Sequence, residues 1–278
     1  LPKLYRLAAF PRGDEGGNEA AMIFNGDLDE GTMQRIAHYA GYSETAFVRV
    51  LAKDAFSARF FTPTAEVDMC GHATVAAFNA LRDEGRIPPG VYALSTKAGP
   101  IRVLVGEKDV QLGFAQPVIE TLEDPSPFAR LLNVDGVPPV QRIDSGVCEL
   151  YVKVERNEDL KRLHVDSRRI AELLESYDAS GLCVYTEDAL TGGDIFLRNF
   201  LPPIGIPEES ATGTACVSLA ASLHEKNGGR IFMFEQGDLM GKPSRITARV
   251  ENSAEGMRIY VGGTARLIEK EDISVQDG

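Results

Sequence analysis

Glu44 and His72 are the side chains of this sequence best suited to moving a proton. Glu44 lies in Gly41-Tyr42-Ser43-Glu44-Thr45, directly before an apolar run. A carboxylate there can be partly desolvated, which raises its pKa toward the range where it both accepts and returns protons. The plainer alternative is a solvated loop glutamate. His72, between Gly71 and Ala73 at a predicted helix start, could relay a proton or bind a substrate, or could simply satisfy a neighbouring backbone group. Cys70 stands beside the same helix start, where a thiol acquires a lowered pKa and could act as base or nucleophile.

Gly71 and Gly213 each place a short glycine segment at a helix N-terminus, where unpaired N–H groups and the positive end of the dipole favour an anion. Either alone reads equally well as an ordinary strand-to-helix turn. The pair points to a carboxylate ligand in a cleft, because the two turns stand in matching register. Glu208 and Glu209, just before the second turn, could orient a substrate amine or hydroxyl, or could complement the helix dipole.

That register runs through the chain. Arg59-Phe60-Phe61-Thr62-Pro63 is echoed by Arg198-Asn199-Phe200-Leu201-Pro202 at an offset of 139 residues, and Cys70-Gly71-His72-Ala73 by Thr212-Gly213-Thr214-Ala215 at 142. Two copies of one architecture are the simplest reading. Glu44 then falls opposite Gly181, so one half carries an acid–base group where the other carries none. Cys70 falls opposite Thr212, so the facing pair of thiols that a two-base racemase needs is missing.

The elements that must position these groups follow from periodicity and caps. Asp29 caps a helix with Met33, Ile36, Ala37 and Ala40 on one face and Gly41 as its stop. The spacing predicts strands at Leu4–Phe10, 46–51 and 58–61, then a helix from His72 to Glu84 closed by Gly85. In the second half Asp166 caps a helix bearing Ile170, Leu173 and Leu174; strands follow at 182–185 and 195–200, and Thr214 begins a helix that stops at Gly228. Residues 117–127, rich in proline and acid, are the expected linker, and Gly262-Gly263 an expected turn in a strand-like tail. Regular βαβ alternation is missing, so the predicted class is α+β, with domains at 1–116 and 117–278 whose terminal strands can cross over.

Composition narrows the function. The chain has 278 residues, 44% of them hydrophobic, and a net charge of −12. No basic cluster suits nucleic acid or an anionic membrane, and no apolar run approaches the roughly 20 residues that span a bilayer. A cytoplasmic setting is expected. The cysteines at 70, 148, 183 and 216 are too scattered for a disulfide framework, and the histidines at 38, 72, 164 and 224 form no HxxxH pair beside an absent CxxC, so no metal is expected.

At these residues the chain resembles the PhzF family, the phenazine-biosynthesis-like isomerases related in fold to diaminopimelate epimerase. Gly17-Asn18 with Ala20-Ala21 resembles a GNPAA segment, and Ser43-Glu44-Thr45 with Phe47-Val48 resembles SET-x-FV. Phe61-Thr62-Pro63, Glu66 and Cys70-Gly71-His72-Ala73-Thr74 resemble FTP…E…CGHAT; Arg198 to Ala215 is similar to R-x-F-x-P…EDPATGSA; Gln236-Gly237, Met240 to Ser244 and Val261-Gly262-Gly263 resemble QG, MGRPS and VGG.

The resemblance implies a cofactor-free enzyme of two similar domains, each a mixed, barrel-like sheet around a central helix, usually a homodimer. A characterised member isomerises dihydro-hydroxyanthranilate by moving a proton between carbons. By motif position Glu44 would remove and redeliver the proton, His72 would assist, and Glu209 would stand for a family aspartate. Asn18, Cys70, Gly71, Gly213 and Thr214 would bind the small carboxylate substrate. Glu19, Glu209, Ser210 and Thr214 depart from the family residues and bear on which substrate is taken. Two other functions fit the same residues. One is a Cys70-dependent racemase, epimerase or dehydratase; the other is a metabolite-binding or interaction protein that has lost its chemistry.

Overall fold

Alternation and capping build two units, which the computed structural model describes for residues 2–134, 139–164, 166–254 and 256–273. The first unit comprises Leu1–Gly113 with Gly262–Gly278, the second Phe114–Val261.

The first unit begins with β1 (Lys3–Ala9) and β2 (Asn18–Phe24), followed by α1 (Glu30–Ala40), β3 (Thr45–Ala52), β4 (Ala55–Phe61) and the short β5 (Glu66–Val67). Helix α2 (Gly71–Asp83) leads to β6 (Gly90–Thr96), β7 (Gly99–Val105) and β8 (Val110–Ala115). The second unit holds β9 (Val118–Thr121), α3 (Ser126–Leu132), β10 (Val140–Asp144), β11 (Cys148–Lys153), α4 (Asn157–Arg162), α5 (Ser167–Glu175), β12 (Gly181–Thr186) and β13 (Ile195–Leu201). It continues with β14 (Ile206–Glu209), α6 (Gly213–Asn227), β15 (Ile231–Gln236), β16 (Ser244–Ser253) and β17 (Gly256–Gly263), after which β18 (Ala265–Asp272) returns to pair with β1.

Each unit is a mixed sheet with few helices, as the α+β class requires. In the first, β1 and β2 are antiparallel, β2 and β3 parallel, β3 and β4 antiparallel, and β4 and β6 parallel. The second repeats the succession with β10–β11, β11–β12, β12–β13 and β13–β15. Helices bridge both parallel pairs of each unit, because a parallel connection needs a crossover.

Local chemistry explains the helices. Asp29 accepts from the Thr32 N–H at 2.8 Å to start α1, and Gly41 ends it in the left-handed region at φ 72°. Its buried face, Met33, Ile36 and Ala37, packs with Phe47 and Phe61. Asp166 starts α5 in the same way, and Gly228, also at φ 72°, stops α6. Helices α2 and α6 differ from these amphipathic ones in being buried on every side over 72–81 and 215–223. Their alanines and serines let strands approach closely.

Two expectations need correction. Residues 117–127 are not a bare linker: β9 pairs with β10 and α3 starts at Ser126. Gly262-Gly263 is not a turn but the end of β17; a Cβ on Gly262 would lie 1.8 Å from the Val110 carbonyl oxygen, so close backbone approach explains the glycine. Among the described residues no helix is long and apolar enough to cross a membrane.

Candidate active site

Three chain segments of the first unit converge at their N-terminal ends. Asn18 opens β2, Glu44 immediately precedes β3, and Cys70, Gly71 and His72 form the start of α2. The Glu44 carbonyl accepts from the Ala21 N–H at 3.0 Å, which ties the glutamate's backbone to β2.

His72 Nε2 lies 3.3 Å from Glu44 Oε2. His72 is buried, and the Glu44 side chain is mostly buried, with Oε2 lacking a hydrogen-bond partner despite that short contact. The two groups face each other without the alignment of a hydrogen bond. Cys70 Sγ stands 3.4 Å from His72 Nδ1 and 3.8 Å from Nε2, and the Asn18 amide nitrogen is 3.4 Å from Nδ1. Burial lowers the His72 pKa, against the opposing pull of the Glu44 charge and a hydrogen bond to the Glu19 backbone. The imidazole is therefore biased toward its neutral form. None of the four cysteines is in a disulfide.

The remaining predicted residues belong to the second unit. Gly213 and Thr214 begin α6, and Glu209 ends β14. The Thr212 hydroxyl donates to Glu209 Oε2 at 2.6 Å. Buried Gln236 locks the turn: its Oε1 accepts from the Thr212 N–H at 2.8 Å, and its amide donates to the Glu209 carbonyl at 2.8 Å. Gln236 appeared in the sequence only as part of a QG motif, whose glycine marks a turn; its bracing role needs the fold to be seen. Glu208 is engaged in a two-point ion pair with Arg198, at 2.8 Å for each contact. It is a brace, matched in the first unit by Arg59 with Glu66 at 2.7 and 3.0 Å.

The helix starts share a property. Neither N-cap side chain, Cys70 or Thr212, caps its helix. A Cβ on Gly71 or Gly213 would meet no protein atom closer than 3.9 Å, and neither glycine has a positive φ. Nothing among the described residues demands glycine at either position.

Gly181, the residue that the sequence register sets opposite Glu44, carries no side chain but has a carboxylate packed beside it. The Gly181 position is covered by Glu149 from β11, whose Oε1 would lie 2.8 Å from a Cβ on Gly181. Glu149 is fully buried and accepts from Tyr151 Oη at 2.6 Å and Asn199 Nδ2 at 2.9 Å. No motif or periodicity in the sequence picks out Glu149, and only the pairing of β11 with β12 brings it beside Gly181.

Comparison with known proteins gives a consistent result. The family model described as phenazine biosynthesis-like protein (PhzC-PhzF) matches residues 7–271. A Bacillus subtilis protein named an uncharacterized isomerase is 30% identical over 285 residues, covering 95% of each chain. The crystal structure of a PhzF family protein from Bacillus anthracis superposes with a TM-score of 0.88 at 23% identity, covering 98% of this chain and 99% of that one. A hydroxyproline epimerase from Agrobacterium vitis, solved with bound trans-4-hydroxy-L-proline, shares the fold at a TM-score of 0.60 and 14% identity, covering 97% and 91%.

Proposed function

Because this chain belongs to the PhzC-PhzF family and is an isomerase by that membership, we propose that it shifts a proton on a small cyclic or amino-acid-like carboxylate without a cofactor. The observation that carries this reading is the buried Glu44 Oε2, 3.3 Å from His72 and without a hydrogen-bond partner. A carboxylate oxygen so placed can take a proton from a substrate carbon and deliver a proton to another carbon, while the electron pair moves through the conjugated substrate. His72 adjusts the position of that carboxylate and can hydrogen-bond the substrate.

Gly71 is assigned to carboxylate binding through N–H groups that no side chain caps, since a ligand's close approach accounts for a glycine that packing does not require. Gly213, Thr214 and Glu209 carry similar donor and acceptor chemistry in the second unit, and we assign them to substrate binding as well. The same reading makes the protein a cytoplasmic homodimer.

One observation favours a second reading. The 3.4 Å approach of Cys70 to His72 suits a thiol acting as base in a racemase or epimerase. Thr212, its register partner, has its hydroxyl committed to Glu209, so a second base is missing from that position.

Proton NMR in deuterated water tests the proposal, with dihydro-hydroxyanthranilate and a panel of amino and hydroxy acids. Isomerisation or deuterium uptake should occur with the wild type and vanish in Glu44→Gln. Turnover that survives Glu44→Gln but is lost in Cys70→Ser would transfer the role to the thiol. Silence of the wild type across the panel would count against a proton shift on these substrates.

A further inference from the structure

We propose that Glu44, Cys70 and His72 form an inhibitory zinc site, with the metal held by Glu44 Oε2, His72 Nε2 and Cys70 Sγ. All three residues belong to the first unit, and their ligand atoms lie within 4.8 Å of one another. Tetrahedral zinc, with bonds of about 2.0 Å to nitrogen or oxygen and about 2.3 Å to sulfur, spaces its ligand atoms roughly 3.3–3.7 Å apart. Here Nε2 and Oε2 are 3.3 Å apart, and Sγ and Nε2 3.8 Å. The third pair, Sγ and Oε2, lies within 4.8 Å, and zinc binding would draw it closer.

A second observation points to a ligand. Glu44 Oε2 is buried and has no hydrogen-bond partner although Nε2 is within reach, as expected when two atoms converge on a third point and not on each other. The hydrogen bond between His72 and the Glu19 backbone, with the Asn18 amide beside the ring, supplies the outer support that metal-bound histidine ordinarily has. Ligand chemistry selects the ion: one thiolate, one imidazole and one carboxylate suit zinc, whereas calcium and magnesium prefer oxygen. Three protein ligands leave one tetrahedral position for water or a substrate carboxylate.

On binding, the Cys70 thiol gives its proton to the buffer and sulfur coordinates as thiolate. Glu44 Oε2 then spends on zinc the lone pair it would use on a substrate proton, so turnover stops until a chelator removes the ion. Zinc binding requires only the geometry of the first unit; loss of turnover rests on the isomerase reading.

The test is titration of the chelator-treated full chain with zinc against a chromophoric chelator, and separately with cobalt(II). One equivalent per chain should bind with a Kd of about 1 µM or lower. Cobalt should give a thiolate-to-metal charge-transfer band in the near ultraviolet. Cys70→Ser should abolish that band, and Cys70→Ser and His72→Asn should each weaken zinc binding about 100-fold while retaining the wild-type circular dichroism. Cys148→Ser should leave both signals intact. Absence of the band in the wild type overturns the site, as does undiminished zinc affinity in both Cys70→Ser and His72→Asn. Stoichiometric zinc binding that leaves proton exchange unchanged overturns its inhibitory role. Zinc binding that depends on Cys70 in a protein inactive on every substrate would uphold the site and count against the isomerase reading alone.

Discussion

Glu149 occupies the space above Gly181 that a side chain at that position would need. A Cβ on Gly181 would lie 2.8 Å from Glu149 Oε1 and 2.6 Å from Leu201 Cδ2. The second unit thus keeps a carboxylate beside the residue that the sequence register sets opposite Glu44, sealed inside with Tyr151 and Asn199 as partners.

The pH dependence of stability should expose that sealed carboxyl. Burial raises the Glu149 pKa above its ordinary 4.5, only partly offset by the hydrogen bonds from Asn199 and Tyr151. Between the two values the folded state binds a proton that the unfolded state has lost, so stability falls as pH rises through this window, by up to about 1.4 kcal/mol per pH unit. Glu149→Gln stays neutral and should remove that decline. Urea melts of both proteins from pH 4.5 upward check it; parallel curves would refute it.

Glu235 should behave oppositely although it too is fully buried. Burial pushes its pKa up, but the Thr191 hydroxyl and the N–H groups of Thr191, Leu190 and Gly193 overcome this and hold it below 4.5. Its stabilisation is complete above the ordinary value and is lost as pH falls through the depressed one. Glu235→Gln turns an amide group toward those donors and should cost about 2–4 kcal/mol at neutral pH, read by denaturant unfolding.

Three glycines should separate packing from binding. Gly181→Ala drives a methyl into Leu201 and Glu149 and should destabilise by about 1–3 kcal/mol. Gly71→Ala and Gly213→Ala meet only ordinary contacts, so their melting temperatures should stay near wild type while KM rises about tenfold or more. Unchanged KM in both would remove the glycine turns from substrate binding.

His72 supplies an acid limit. Its pKa is lowered from 6.5 by burial, despite the attraction of Glu44 and the Glu19 backbone. Below 6.5 the unfolded chain takes up a proton that the folded one resists, so stability falls as pH drops through this window. His72→Gln should flatten the dependence in thermal melts between pH 5 and 7. Equal slopes in the two proteins would show that His72 protonates as readily folded as unfolded.

Where the physics is local, the sequence alone determined the outcome. Asp29 with Gly41, Asp166, and Gly228 set helix ends because capping and left-handed turns involve only neighbouring residues. Motif spacing along nearly the whole chain was enough to reveal the family, and the echo between Arg59 and Arg198 marked the duplication, while the ion pairs those arginines make with Glu66 and Glu208 emerged only in the fold. Tertiary structure decided what depends on strand register and packing. It set the 3.3 Å separation of Glu44 from His72 across 28 residues of chain and gathered Cys70 beside them. It also folded Glu149 over Gly181, engaged Glu208 with Arg198, and drew Gly262 against Val110. Such approaches are fixed by how distant strands align, and no periodicity or cap within a single segment encodes that alignment.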